Sequence, residues 1–286
     1  MSIVITGASG QLAGGVIAHA LQTVDASELL LVTRSPEELS GYAAEGTQVR
    51  YGNFEEPGSL SDAFAGGTRM LLISTDAVGA RVALHGAAIE AATDAGIELV
   101  AYTSIVNPIP DNPAFVVPDH RATEQKLRDS GVGWTFLRNS IYAEYQSASM
   151  AAAAESGVLV TNEGSGRVAY VSRDDCAAAA AAVLVEGDHA GIAYDITGPE
   201  LVDADQRADI FSSVTGKKIE VVHVDDDSYA EGLAAATGMP LEAARGMTSF
   251  GAAIRQGHLA VSGNDFEKLT GRKAKDLRSV LAATTV

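Results

Sequence analysis

The stretch Ser2-Ile-Val-Ile-Thr-Gly-Ala-Ser-Gly-Gln-Leu-Ala-Gly-Gly15 decides how this chain is organised. Ile3 to Ile5 is a short β-branched run with the character of a buried strand. Gly7, Gly10 and Ala13 follow in a GxxGxx[G/A] spacing. From Gln11 to Val24 the apolar residues Leu12, Val16, Ile17, Ala20, Leu21 and Val24 recur at helical spacing. Leu29 to Val32 is a second apolar run, so the unit reads strand, glycine turn, helix, strand. A glycine reaches backbone angles closed to other residues and has no Cβ to keep a ligand away. The first amides of the following helix, aided by the helix dipole, then form an anion site of the size of a pyrophosphate. The residues that would line it are Thr6, Gly7, Ala8, Ser9, Gly10, Gln11 and Leu12.

The end of the second strand indicates which dinucleotide fits. A carboxylate there would bond the adenosine ribose hydroxyls of NAD. Thr33 and Arg34 stand there instead. Thr33 brings no negative charge, and the planar fork of Arg34 suits a 2′-phosphate, so NADP(H) is favoured over NAD(H).

The same alternation continues. Ser35-Pro36-Glu37-Glu38 signals a helix start. Gln48–Tyr51 predicts a third strand ending at Gly52-Asn53-Phe54, where Asn53 is placed to bond an adenine. A short helix is expected at Ser59–Phe64 and a fourth strand at Met70–Ile73, which ends in Ser74, Thr75 and Asp76. Small hydroxyl residues at the end of a central strand are where ribose and pyrophosphate pass. A helix is expected from Ala80 to Ala95, with His85 on it as a packing or surface residue. The fifth strand, Leu99–Tyr102, runs into Thr103-Ser104-Ile105. Pro108, Pro110, Pro113 and Pro118 make the segment from Asn107 to Pro118 a loop, with a helix from about Asp119 to Asp129. The sixth strand, Trp134–Leu137, ends in Arg138-Asn139-Ser140. This order implies a Rossmann-type, doubly wound parallel α/β sheet. Handedness then brings the turn at Gly7–Ala13, Arg34, Ser74–Asp76, Thr103–Ile105 and Asn139–Tyr142 to one edge.

Beyond Asn139 the pattern loosens. A helix at Ser147–Glu155, short strands at Val158–Val160 and Val168–Val171, a helix at Arg173–Leu184 and a strand at Tyr194–Ile196 are expected. From Asp203 the chain reads as mostly helical: Ala204–Val214, strand Ile219–Val222, then Tyr229–Ala236, Leu241–Gln256 and Leu277–Ala282. The expected division is a coenzyme-binding domain over 1–200, with 140–166 contributing to a smaller substrate lobe over 201–286. That lobe would cover the strand edge and leave a cleft.

A chain of 286 residues with 47% hydrophobic residues can bury a large core without staples. The net charge of −17 repels nucleic-acid backbones and anionic membranes, so neither is expected as a partner. A small-molecule substrate is. Cys176 is the only cysteine, which excludes an internal disulfide and makes a reducing cytoplasm the simplest location. No run of about 20 apolar residues and no histidine pair at metal spacing is present, so no membrane span and no metal are expected. The sequence leaves the oligomeric state open, a homodimer included.

The helix after the fifth strand carries His120-Arg-Ala-Thr-Glu124 where a short-chain dehydrogenase would show Tyr-x-x-x-Lys. Without the proton-donating tyrosine, ordinary carbonyl reduction is disfavoured. Hydride transfer to a quinone, which stabilises its own negative charge, or to a cationic dye remains open. The motifs Thr6-Gly-Ala-Ser-Gly-Gln-Leu12, Val32-Thr-Arg34, Leu72-Ile-Ser-Thr-Asp-Ala-Val-Gly-Ala-Arg81, Ala101-Tyr-Thr-Ser104, Asp119-His120 with Thr123-Glu124, Thr135-Phe-Leu-Arg-Asn139 with Tyr142, Ser172-Arg173 and Leu269-Thr-Gly271 run end to end. In them the chain resembles the NmrA-like atypical short-chain dehydrogenases, among which are type 2 NAD(P)H:quinone oxidoreductases and triphenylmethane reductases.

The resemblance implies NADPH held by Thr6 to Gln11, Arg34, Ser74 to Asp76 and the segment from Asn139 through Ser140, Ile141 and Tyr142 to Glu144, with Arg173 nearby. It departs at Ala13, where a third glycine is usual, at Asn53, where an aspartate is familiar, and at Cys176, where a tyrosine is common. The nicotinamide is expected near Thr103, Ser104 and Asn139, the acceptor against Tyr142, and His120 as a proton source or a helix cap. The expected activity is NADPH-dependent reduction of a quinone or similar electrophile. The alternative is a non-catalytic NADP(H) sensor that regulates a protein partner, as some NmrA-like proteins do.

Overall fold

The computed structural model describes residues 1–284. Its centre is a seven-stranded sheet of β1 (Ile3–Thr6), β2 (Leu29–Thr33), β3 (Gln48–Tyr51), β4 (Arg69–Leu72), β5 (Leu99–Ile105), β6 (Gly133–Asn139) and β8 (Ile192–Ile196). The strand order is β3-β2-β1-β4-β5-β6-β8, every pair parallel. Residues 3–6 are sealed from solvent, which the unbroken β-branched run requires of a strand covered on both faces. The chain winds one way from β1 to β3 and the other way from β4 to β8. The crevice of such a sheet therefore opens between the carboxyl ends of β1 and β4.

Helices cover both faces. On one, α1 (Gln11–Ala20) crosses α7 (Arg173–Val185) closely, because Gly15 brings no side chain. A Cβ at Gly15 would lie 2.8 Å from the Cβ of Ala177. The alanines of α7 complete that thin interface, with Ala13 buried beside it. α2 (Ser40–Ala44) stands at the edge of that same face, with Tyr42 packed on its core, and on the other face α3 (Leu60–Phe64), α4 (Arg81–Asp94) and α5 (Val117–Asp129) cover the sheet around Phe64, Tyr102 and Phe136.

A second core draws on residues 105–117, 143–170 and 202–281. It is built from α6 (Gln146–Ser156), β7 (Val158–Thr161), α8 (Ala204–Thr215), β9 (Glu220–His223), α10 (Leu241–Arg255) and α12 (Leu277–Thr284). α9 (Asp226–Thr237) lies against α10, and β7 pairs with β9 in a small parallel sheet. α11 (Asp265–Thr270) packs on α7 and β8, back on the main domain.

The structure corrects several expected elements. α1 ends at Ala20, and a turn closed by Val24 N–H to the Ala20 carbonyl replaces the last expected helical residues. The segment Val168–Val171 is no strand. It holds only isolated bridges, Val168 to Val202 and Tyr142 to Val171. Pro118 lies inside α5, in the first turn, where its missing N–H has no helical partner to lose. α11 has no counterpart among the expected helices. At six residues it is too short to register as a period.

Candidate active site

The glycine turn is closed by its own backbone bonds. Gly7 takes φ +60°, and the Gly10 N–H closes back on the Gly7 carbonyl at 2.9 Å. A Cβ at Gly10 would sit 3.1 Å from that same oxygen. The Ala8 N–H donates to the Val32 carbonyl at 3.0 Å, and the hydroxyls of Ser9 and Thr33 meet at 3.0 Å. Thr6 spends its hydroxyl inside the sheet, donating to the Leu71 carbonyl (2.9 Å) and accepting from the Ile73 N–H (3.2 Å). Its role there is to tie β1 to the end of β4. α1 opens at Gly10 with no side-chain cap and no acid in its first turn. Its leading amides are thus left for an external acceptor.

Arg34 is exposed at the end of β2 and has no hydrogen-bond or ion-pair partner among the described residues. Tyr51 closes the neighbouring strand beside it, in register with Thr33. Asn53 turns its side chain onto its own loop: Oδ1 accepts from the Glu55 N–H (3.0 Å) and Nδ2 donates to Glu56 (3.2 Å).

The ends of β4, β5 and β6 are stitched together. The Ser74 N–H donates to Thr103 Oγ1 (2.9 Å), and Thr75 is held from α4: its N–H donates to His85 Nε2 (3.1 Å) and its carbonyl accepts from Arg81 Nε (2.5 Å). Asp76 is exposed. Ser104 donates its hydroxyl proton to Glu124 Oε1 (2.8 Å), so only its lone pairs are left for a further partner. Asn139, in register with Ile105, donates from Nδ2 to the Tyr142 hydroxyl (3.3 Å). Three buried oxygens here have no partner among the described residues: Thr75 Oγ1, Asn139 Oδ1 and Ser140 Oγ. Buried polar atoms are nearly always bonded, so this concentration at one sheet edge fits a polar ligand.

Tyr142 and Tyr145 stand with ring centroids 5.6 Å apart, and the Arg173 guanidinium lies 5.3 Å and 5.8 Å from them. The Arg173 N–H is held by Glu144 (2.9 Å), which fixes the start of α7 against this wall. Burial pushes the Tyr142 phenol well above its usual range, so it is neutral. Ile141 belongs to the second core. Cys176 is buried in the main core, and burial raises its thiol too.

His120 is 6% exposed, and its Nδ1 meets the Tyr102 hydroxyl at 2.8 Å. Burial first, then the charge of Arg81 and the presence of His85, lower it to about 3. His85, fully buried, is lowered by burial and Arg81 to about 4. Sequence patterning undervalued His85 and Arg81. Their i, i+4 spacing places them on one face, but nothing local shows that the face is turned to Thr75.

Both histidines are neutral when folded, whereas an unfolded histidine takes its proton near pH 6.5. Their full stability is therefore present above pH 6.5 and is lost as pH falls toward 4 and 3. Each removes about 1.4 kcal/mol per pH unit over its window. Thermal unfolding at pH 7 and 4.5 is expected to show Tm lower by on the order of 10 °C at the acid end. An unchanged Tm would contradict two buried neutral imidazoles.

Among the described residues no group of three His, Cys, Asp or Glu is placed to hold a metal ion. Nor is any helix among them long and apolar enough to cross a membrane.

Residues 7–186 match the family described as NAD(P)H-binding. Quinone oxidoreductase 2 of Escherichia coli (strain K12) is 36% identical over 231 residues, which are 81% of this chain and 80% of that protein. The crystal structure of an NADPH-dependent quinone oxidoreductase from Escherichia coli complexed with NADPH has TM-score 0.95 at 33% identity, covering 99% of this chain and 100% of that one. The Citrobacter sp. triphenylmethane reductase complexed with NADP(H) has TM-score 0.92 at 34% identity, covering 99% of each chain.

Proposed function

The chain belongs to the NAD(P)H-binding family, and from that membership we propose that it is an NADPH-dependent oxidoreductase passing hydride to a quinone or a similarly planar electrophile. One observation carries the reading. Uncapped α1 amides, an exposed Arg34 and three buried oxygens, the arginine and the oxygens without partners among the described residues, lie at the carboxyl ends of β1, β2, β4 and β6.

The residues fit the coenzyme in a definite order. The amides of Gln11 and Leu12 would hold the pyrophosphate, with Ser9 keeping the turn against Thr33. Arg34 would take the 2′-phosphate. Asn53 contributes to the adenine only through what its loop bonds leave free. Ser74, Thr75 and Thr103 would line the ribose, and Asp76 the outer rim. Ser104 and Asn139 would meet the carboxamide, where Ser104 can only accept. Ser140, Ile141 and Arg173 close the side next to the acceptor. When bound, reduced nicotinamide supplies a hydride. Tyr142 and Tyr145, tilted 44° to one another with the Arg173 guanidinium over both, offer aromatic surface for a planar acceptor.

The proton step follows from the burial of His120. An imidazole lowered to about 3 is no acid at neutral pH. Water is then the source of the proton for the reduced quinone, and His120 serves by holding Tyr102 and the start of α5. Single-turnover assay of His120→Ala checks this: a hydride-transfer rate within about threefold of wild type is expected, and a loss of about 100-fold, the scale of a general acid, would return the acid role to His120.

Steady-state oxidation of NADPH with benzoquinone and naphthoquinone tests the function itself. Saturable turnover with NADPH preferred over NADH is expected. Tight NADPH binding without turnover across the quinones would favour a redox sensor instead. Failure to bind either reduced coenzyme would remove the reading. The single cysteine, buried and unbridged, supports a reducing cytoplasm as the setting.

A further inference from the structure

The connection between β4 and α4 is held at both ends. The Ser74 N–H goes to Thr103, and the Gly79 N–H to Asp119 Oδ2 at 2.9 Å. Between them, Thr75 has both of its backbone groups taken by side chains of the helix that follows. Arg81 Nε donates to its carbonyl (2.5 Å), and its N–H donates to His85 Nε2 (3.1 Å). We propose that Arg81 and His85 are positioning residues for the coenzyme, gripping the Thr75 backbone so that the Ser74–Asp76 loop presents its hydroxyls to the crevice. The inference rests on the coenzyme assignment above.

The bonding directions define one arrangement. Nε2 of His85 faces an N–H and must accept, so the ring carries its proton on Nδ1. Nδ1–H donates to Thr123 Oγ1 (3.0 Å), whose own proton goes to the Asp119 carbonyl (2.9 Å). Every donor along this line has one acceptor, from Thr75 through α4 into α5. The ring cannot rotate or change tautomer without leaving the Thr75 N–H unbonded. With that N–H and carbonyl turned toward α4, the loop keeps the Thr75 hydroxyl free, and that hydroxyl is among the buried oxygens without a partner.

Packing alone gives no reason for Arg81. It is 9% exposed, has no acid partner among the described residues, and leaves Nη1 buried without a bond. Burying an unpaired guanidinium costs more than one bond to a carbonyl returns. A leucine on α4 would fill the space at lower cost. The charge is explained if the peptide it holds must keep a particular orientation toward a ligand.

The test uses the full chain. His85→Leu removes the acceptor and keeps an apolar side chain. His85→Gln keeps an acceptor within reach of the Thr75 N–H. Fluorescence titration with NADPH, run well below each Tm, is expected to show His85→Leu weakened about tenfold, the scale of one buried unsatisfied amide. His85→Gln is expected within about threefold of wild type, and Arg81→Met, which frees the Thr75 carbonyl in the adjoining peptide, is expected to reproduce the loss. If His85→Leu does not fold, Arg81→Met against His85→Gln reads the same contrast. A lowered Tm with NADPH affinity unchanged in both His85→Leu and Arg81→Met would reduce the pair to packing and overturn the proposal. Hydrogen exchange of the Thr75 amide in the free protein separates the grip from the coenzyme. Protection lost in His85→Leu supports the grip, and an unprotected amide in wild type overturns it. Absence of any NADPH binding by wild type would instead defeat the coenzyme assignment.

Discussion

Replacing Arg34 by glutamate is expected to reverse the coenzyme preference, raising the KM for NADPH by about 100-fold and lowering that for NADH. The scale follows from the chemistry of one side chain. A charge-assisted bond to an anion contributes about 1.5–3 kcal/mol, and every 1.4 kcal/mol is a factor of ten. Arg34 is exposed, unpaired among the described residues, and follows a threonine instead of an acid. Nothing in the protein has to be broken to remove it, so the fold is unaffected. The inserted carboxylate does two things at once. It repels a 2′-phosphate, and it can accept from the 2′- and 3′-hydroxyls of an unphosphorylated ribose. The −17 net charge of the chain sharpens the effect, because the rest of the surface repels a polyanion. Steady-state kinetics with both coenzymes at low and at 0.5 M salt, where the Debye length is a few Å, check this. The NADPH advantage of wild type should shrink at high salt. A variant that still prefers NADPH would show that a different group binds the extra phosphate.

Glu124→Gln is expected to cost about 3–5 kcal/mol of stability, with Tm lower by about 10 °C. Glu124 is 2% exposed and binds three groups. Oε1 accepts from Ser104 (2.8 Å) and Arg138 Nε (2.9 Å), and Oε2 from Arg138 Nη2 (2.7 Å) and Arg128 (3.1 Å). The Arg138 contact is a two-point fork, the strongest geometry available to the pair. Hydrogen bonding to Glu124 accordingly holds Arg138 above its usual range. Neutralising the acid leaves two guanidinium groups facing one another with no charge between them. Arg128 is partly compensated by the Trp134 and Phe136 rings, 5.2 Å and 4.7 Å away. Arg138 is not compensated by a ring. The same change frees the Ser104 hydroxyl to rotate, so NADPH affinity should fall together with stability. A double-mutant cycle with Ser104→Ala measures that coupling, and a coupling energy near zero would show that Ser104 is oriented by something else.

The position of Glu124 also shows what stands in place of the usual Tyr-x-x-x-Lys. The helix that would carry Tyr-x-x-x-Lys here presents His120 and Glu124 inward, one lowered by burial and the other locked into an ion-pair cluster. That burial and that ion-pair cluster fit the proposal that neither residue delivers the proton. That suits an acceptor whose reduced anion takes its proton from water.

The alternation of short apolar runs with helical spacing was enough to order β1 through β6 and the glycine turn, because strand burial and helix amphipathicity are written in residues a few positions apart. The choice of Arg34 over an acid was legible for the same reason, since it sits one step past a strand whose end is evident. What the sequence could not show is which side chains meet across the sheet. That Thr6 and Thr103 spend their hydroxyls tying strands, that Gly15 lets α1 approach Ala177, that Arg81 and His85 hold Thr75, and that Glu124 gathers Ser104 and Arg138 were decided by tertiary structure alone. Strand register and helix rotation place the bonded atoms 2.5–3.1 Å apart, and both depend on how all the layers pack together, not on any one segment.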